Sequence, residues 1–422
     1  MLKAVLLCCS ISFVIVSCEQ EDTLNEMEAS AVAGSKGRGK PVDLNGAVQA
    51  KAAEVAANST IACTTDKLNN ELLQALAGRT AVEPSACGPT ALDYAIVPYV
   101  LQFGDLEWEW YDLLATINQL HSYLDRSQQY FAVDGHLTEF AIKNKRMLEE
   151  FWGMPNEVSL KGQHTKTLLN RNAIANVYLN FSTATEAEAF EMADLLISEV
   201  MLKSKVLSNS PLLSLDGFAT TSNIIVIGDG IIQILNEAGT AEKETFAGVL
   251  SHEWAHQVQF NNFKSWYGVP AELSENSPEA TRLTELEADF FTGYYLTHKR
   301  GGTYNWKSTA QFVHMFYNIG DCAFESDGHH GTPNQRMAAA RLGWVVAQVT
   351  YPMGHIYSAS EVHSLFIAAY TDIIENSIDR TEAYASLNSA DLKNMYTKIL
   401  GYEKELAAIA SGSLDQTSIE NL

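Results

Sequence analysis

Basic side chains are scarce in this chain: 28 lysines and arginines stand against 51 aspartates and glutamates, a formal charge of −23. No basic cluster offsets the deficit locally, so a polyanion meets mostly repulsion and nucleic-acid binding is excluded as a function class. Cysteine is also sparse, at six residues, and no cysteine spacing matches a cysteine zinc site. No internal repeat is present, which excludes solenoids and propellers. Past the first residues no apolar run is long enough to cross a bilayer. Apolar side chains are plentiful, at 46% of 422 residues, enough for a substantial core in one large domain or two ordinary ones.

The N-terminus has one basic residue, Lys3, and then an apolar run from Ala4 to Val16, too short for a comfortable span and suited to a secretory signal. The run ends in Ile15-Val16-Ser17-Cys18, which resembles the lipobox of bacterial lipoproteins. That resemblance implies a signal peptide over residues 1–18 and a lipid anchor on Cys18, with a membrane as partner and the bacterial cell envelope, at the outer membrane, as address. The acidic run Glu19-Gln20-Glu21-Asp22 looks like the tether signal that carries some lipoproteins to the cell surface. An ordinary cleaved signal peptide is the alternative. Residues 19–60 read as a flexible tether, rich in Ser, Gly, Ala and charge near their start. With Cys8, Cys9 and Cys18 assigned to the leader, Cys63, Cys87 and Cys322 remain. In an oxidising compartment a Cys63–Cys87 bridge is plausible, leaving Cys322 buried and free.

Residues 61–212 read as a helical N-terminal part of the globular region, in which Trp108, Tyr111, Leu114 and Ile117 form one core-facing stripe. Within it, Ala173 to Phe181 follows an Asn170-Arg171-Asn172 turn signal and reads as β-like, and Thr185 to Leu202 as an acidic amphipathic helix. Residues 213–422 carry the chemistry. Asn223-Ile224-Ile225-Val226-Ile227 is a β-branched run bounded by Gly228-Asp229-Gly230, a strand ending in a tight turn. The fold class that follows is α+β, mainly helical, with a small mixed sheet.

Ala241 to Phe260 reads as a helix containing His252-Glu253-Trp254-Ala255-His256. Imidazoles at i and i+4 share one face, one turn apart, and can grip one metal ion, with Glu253 beside them as a base. A catalytic zinc usually takes three protein ligands and keeps a fourth position for water. The next helix offers the third: Ser277 is a good N-cap, Pro278 suits the first turn, Lys299-Arg300-Gly301 marks the end, and Glu285-Leu286-Glu287-Ala288-Asp289 lies within. Glu285 and Asp289 share a face; Ala288 permits close helix approach; Glu287 points elsewhere and is expected to be solvated. Asp289 would orient a ligating imidazole, so that its loss should weaken metal binding with little change in the fold. Thr332-Pro333 with Gln335 forms a further helix start, holding His330 and Arg336 near its positive end.

His252-Glu253-Trp254-Ala255-His256-Gln257-Val258-Gln259 followed by Glu285-Leu286-Glu287-Ala288-Asp289-Phe290-Phe291-Thr292-Gly293 is similar to the neutral zinc metallopeptidases of bacteria and, more distantly, to the HtpX-type gluzincins. The likeness covers roughly residues 213–344. It implies a zincin-like core, Zn2+ on His252, His256 and Glu285, Glu253 as the base that activates water for peptide hydrolysis, and Asp289 as the supporting carboxylate. It further implies that His330, His329 or Arg336 stabilises the oxyanion, and that Gly217-Phe218-Ala219 and the strand from Ile224 belong to the active-site edge. Asn223 to Ile227 would then bind a peptide or protein substrate by strand addition. Two other readings stay open: an envelope assembly or chaperone-like binding protein that keeps the fold with little proteolysis, and a zinc hydrolase acting on wall-peptide cross-links.

Overall fold

A computed structural model describes residues 43–59, 90–268, 270, 271, 277–321, 329–375, 390 and 392–394. Cys18, Cys63, Cys87 and Cys322, and with them the anchor and the bridge, lie outside these residues. The described chain is α+β and mainly helical. Its helices are α1 (Leu44–Ser59), α2 (Ala91–Val100), α3 (Asp105–Leu124), α4 (Thr138–Trp152), α5 (Arg171–Phe181), α6 (Glu186–Leu195), α7 (Asp229–Glu237), α8 (Glu242–Tyr267), α9 (Pro278–Thr297), α10 (Trp306–Asn318), α11 (Pro333–Val349) and α12 (Ala359–Glu375). The one described sheet has the order β1-β3-β2, with β1 (Ser159–Gln163) parallel and β2 (Gly217–Ala219) antiparallel to the central β3 (Ile224–Gly228).

Several sequence expectations change here. The tether does not extend to residue 60: the alanine-rich run Leu44–Ser59 forms α1, with Leu44 and Val48 buried in the core and Asn45 Oδ1 accepting from Tyr178 Oη at 2.5 Å. Residues 173–181 belong to α5 and not to a strand. The Asn170 side chain caps that helix by accepting from the Asn172 and Ala173 amides, and Ile174, Val177 and Tyr178 bury one face at helical spacing. The alternation of Ala173, Ala175 and Val177 imitates period two because small alanines fit either pattern. The acidic helix after Thr185 is present, but from Leu196 to Met201 it widens into a π-helical turn. In the aromatic stripe, Leu114 and Ile117 are buried, while Trp108 sits at the rim, edge-on to Phe103 and Tyr111 at 5.0 and 6.0 Å.

Sheet and helices form one core across residue 213. Strand β1 comes from before that point and pairs with β3 from after it. Phe131 and Phe140 pack edge-on against Phe246 of α8, and Phe151 and Trp152 contact Tyr295 and Phe291 of α9. The aromatics of the N-terminal part therefore clamp the two helices that carry the motifs. Helix α9 is buried all round, from Ala280 to Thr297, since α8, α10, α11 and α12 surround it. Its contact with α11 is backbone to backbone: a Cβ on Gly293 would lie 2.1 Å from the Ala340 carbonyl oxygen, and one on Gly343 would lie 2.0 Å from that of Phe290. Only glycine admits this approach, which sets α11 in register along α9.

Candidate metal centre

Helix α8 runs as one piece past the sequence-expected end, until Gly268 adopts a left-handed conformation (φ 83°) and donates its amide to the Lys264 carbonyl. The sheet docks on it through Gln257, whose amide donates to the Thr220 carbonyl at 3.0 Å, and through Gly217, where a Cβ would lie 3.2 Å from Val249 Cγ1. Helix α9 starts where Ser277 accepts from the Ala280 amide. This packing brings His252, His256 and Glu285 together, all buried, with one donor atom from each within 4.8 Å of the others.

Nε2 of His252 and Nε2 of His256 are 3.1 Å apart, and the Glu285 oxygens lie 3.2 Å from the first and 3.3 Å from the second. A tetrahedral ion with ligand bonds of about 2.0–2.1 Å separates its ligands by roughly 3.3–3.4 Å. Glu285 Oε2 is buried and accepts no hydrogen bond among the described residues. Two imidazole nitrogens and an under-used carboxylate oxygen at such spacing fit a divalent cation, and this group could hold a metal ion.

The surrounding charges are arranged in layers. Nδ1 of His252 is 3.0 Å from Asp289 Oδ1; the approach lies off the ideal hydrogen-bond line, but no other acceptor among the described residues serves that nitrogen. Burial works against a charge on His252, but Asp289 and Glu285 outweigh it and hold its pKa up, to about 10 in the metal-free site. Burial likewise opposes charge on Glu285, yet His256 and His252 keep its carboxyl well below the carboxylate range. Burial raises Glu253, with His252 and His256 opposing. Its Oε1 faces the start of β2, where a Cβ on Gly217 would lie 3.6 Å away, so glycine keeps that side of the carboxylate open.

Arg336 is fully buried and spans Asp289, its Nε donating to Oδ2 at 2.7 Å and its Nη2 to Oδ1 at 2.8 Å, while Nη2 also lies 3.3 Å from Glu285. This corrects one expectation and narrows another. Arg336 spends Nε and Nη2 on the carboxylates, leaving its buried Nη1 without a partner among the described residues, and Asp289, which holds a buried cation as well as His252, cannot be lost without cost to the fold. Thr332 caps α11 as expected, with Gln335 reaching back to its amide at 3.0 Å. His329 and His330 both engage Asp321 through Nδ1, at 2.6 and 3.1 Å. Burial opposes charge on Asp321, but these two rings drive its carboxyl far below the ordinary range. The loop packs on α9: a Cβ on Gly331 would lie 3.1 Å from Leu286, the neighbour of Glu285.

Asn223 to Ile227 does not supply an edge. Asn223 (φ 62°) closes the β2–β3 turn, and Ile224 to Ile227 lie in the central strand with both sides paired. A β-branched run bounded by a turn signal cannot tell a central strand from an edge; pairing with β1, which is distant in sequence, decides it. Among the described strands β2 is the edge on the α8 side. Glu287 is not solvated: it is fully buried and accepts from Tyr267 Oη at 2.7 Å, Gln259 Nε2 at 3.0 Å and His363 Nδ1 at 2.5 Å. A helical wheel assigns one face to water, and α9 has none. Gln259 carried a readable signal, three residues beyond His256 on the same face; His363, from α12, carried none.

Two surface concavities, about 360 Å³ along α4 and about 490 Å³ between α3 and α5, are lined by no residue of this cluster. Compared with family models, curated proteins and solved structures, the chain matches none.

Proposed function

We propose that the chain is a zinc-dependent endopeptidase of the gluzincin type with a zincin-like core, tethered to the bacterial envelope through lipidated Cys18. The observation that carries the reading is the convergence of His252, His256 and Glu285 next to Glu253, on two helices held at fixed spacing. The donor set of two imidazoles and one carboxylate suits zinc, which when bound supplies a Lewis acid that polarises a carbonyl and acidifies water. Glu253 takes the proton of the attacking water and returns it to the leaving nitrogen, a role that its burial-raised basicity suits. Asp289 keeps the His252 proton on Nδ1, and Arg336 balances the two carboxylates from behind. The substrate strand role passes from residues 223–227 to β2. Asp216 and Thr220 bond to β3, so by antiparallel alternation Gly217 and Ala219 turn their backbone groups the other way, beside Glu253.

One observation favours the second reading, a binding protein with little proteolysis: the donors and Glu253 are each less than 10% exposed. Metal analysis combined with hydrolysis of an unfolded protein and of isolated wall fragments, on wild type and Glu253→Gln, separates the readings. Zinc with Glu253-dependent cleavage of the unfolded protein supports the endopeptidase. Zinc without turnover on either substrate rejects it, and cleavage of wall fragments alone moves the substrate to cell-wall cross-links.

A further inference from the structure

We infer that Glu287 is a positioning residue for the second imidazole of the centre: acting through Gln259, it fixes His256 as the Nδ1–H tautomer and leaves Nε2 bare toward Glu285 and His252. The side-chain amide of Gln259 stands between the two. Its Nε2 lies 2.8 Å from the Thr284 carbonyl oxygen and 3.0 Å from Glu287 Oε2. The carbonyl can only accept, and the carboxylate is already the meeting point of donors from Tyr267 and His363. The amide NH2 must therefore face them, which turns Gln259 Oε1 toward His256 Nδ1 at 2.7 Å. An amide oxygen only accepts, so Nδ1 carries the ring proton and Nε2 presents its lone pair to the cluster.

The two imidazoles are thus oriented by different carboxylates, His252 by Asp289 directly and His256 by Glu287 at one remove. Burying Glu287 completely, with Tyr267, Gln259 and His363 as its partners, costs more than an apolar side chain there would. An apolar residue could fill the space but could not orient the Gln259 amide. The far end of the chain is fixed as well: the His363 ring stacks on Trp266 with centroids 4.3 Å apart and planes at 6°, and the Trp266 indole donates to Ser360 at 3.1 Å.

The consequence for metal binding rests on the proposed centre; the tautomer assignment does not. In the metal-free full chain labelled with 15N-histidine, at a pH where the ring is neutral, His256 should show a protonated Nδ1 and a bare Nε2, the signals being assigned by their loss in His256→Gln. In Gln259→Leu the ring should move toward the Nε2–H form, and zinc affinity by competitive chelation should fall about 10–100-fold. Gln259→Glu alone sets two carboxylates against each other and should also weaken zinc. Combining it with Glu287→Gln reverses the polarity of the link and should restore the Nδ1–H form with part of the affinity, because the carboxylate at position 259 still meets the Thr284 carbonyl oxygen to which the amide donated at 2.8 Å. A wild-type His256 protonated on Nε2 overturns the inference however the variants fold. Variants that lose thermal stability but keep wild-type tautomer and zinc affinity also overturn it, since Glu287 would then only tie helices together. A wild-type chain with Nδ1–H on His256 that binds no zinc upholds the tautomer assignment and removes the metal-centre reading instead.

Discussion

Arg336 and Asp289 form a two-bond ion pair between α11 and α9 in which neither side chain reaches solvent. Replacing one partner strands the other as a buried charge, which costs about 3–5 kcal/mol. Arg336→Met and Asp289→Leu should each lower the unfolding free energy of the metal-free protein by about that amount, read from urea midpoints at constant slope. The double variant removes both charges and fills the space with apolar side chains, so its cost should fall well below the sum of the singles. Zinc then distinguishes the two positions. At a free concentration 100 times the Kd, binding stabilises by about 2.7 kcal/mol. Arg336→Met keeps His252, His256 and Glu285 and should recover most of that. Asp289→Leu also deprives His252 Nδ1 of its acceptor, weakening zinc by about 10–100-fold, and should recover about 1.3–2.3 kcal/mol less at the same zinc concentration. Single variants that cost under about 1 kcal/mol, or a double variant that costs the full sum, would refute the argument that this pair is a buried, mutually dependent unit.

Glu253→Gln should retain zinc by metal analysis while hydrolysis of an unfolded protein falls by about 10²–10⁴-fold, because a base is lost and no ligand is. Gly343→Ala should destabilise by about 2 kcal/mol or more in urea unfolding, since its Cβ would meet the Phe290 carbonyl oxygen at 2.0 Å and α9 and α11 would have to separate; an unchanged midpoint would contradict the close crossing. Burial lifts the Asp216 carboxyl from 3.8 to about 7, with the hydrogen bond from Gln163 working against the rise. The native state then holds a proton that the unfolded chain gives up above about pH 4, so this group's stabilisation fades as pH rises from about 4 to 7. Asp216→Asn should flatten the pH dependence of stability across that window, measured as urea midpoints.

The donor residues were legible because their relation is local. His252 and His256 share a face by helical spacing, and Glu285 with Asp289 repeats that spacing on a helix whose start is marked by Ser277 and Pro278. The α5 segment was misread because alanines at alternate positions fit both periods, and the strand run from Ile224 because the same residues serve a central and an edge strand. Glu287 was misplaced because it was given the environment its charge prefers, water, and the pairing of Arg336 with Asp289 was not legible because 47 residues separate them.

The sequence by itself determined the helix carrying the two histidines, the capped helix carrying Glu285 and Asp289, and the α+β class, because caps, periodicity and i, i+4 spacing act within a few residues of chain. Tertiary structure alone decided that β3 is central, that α9 has no face toward water, and that Arg336 rests on Asp289 while Glu287 reaches His256 through Gln259. These depend on contacts between segments far apart in sequence. The two glycine crossings of α9 and α11 fix them at a distance that no local pattern encodes.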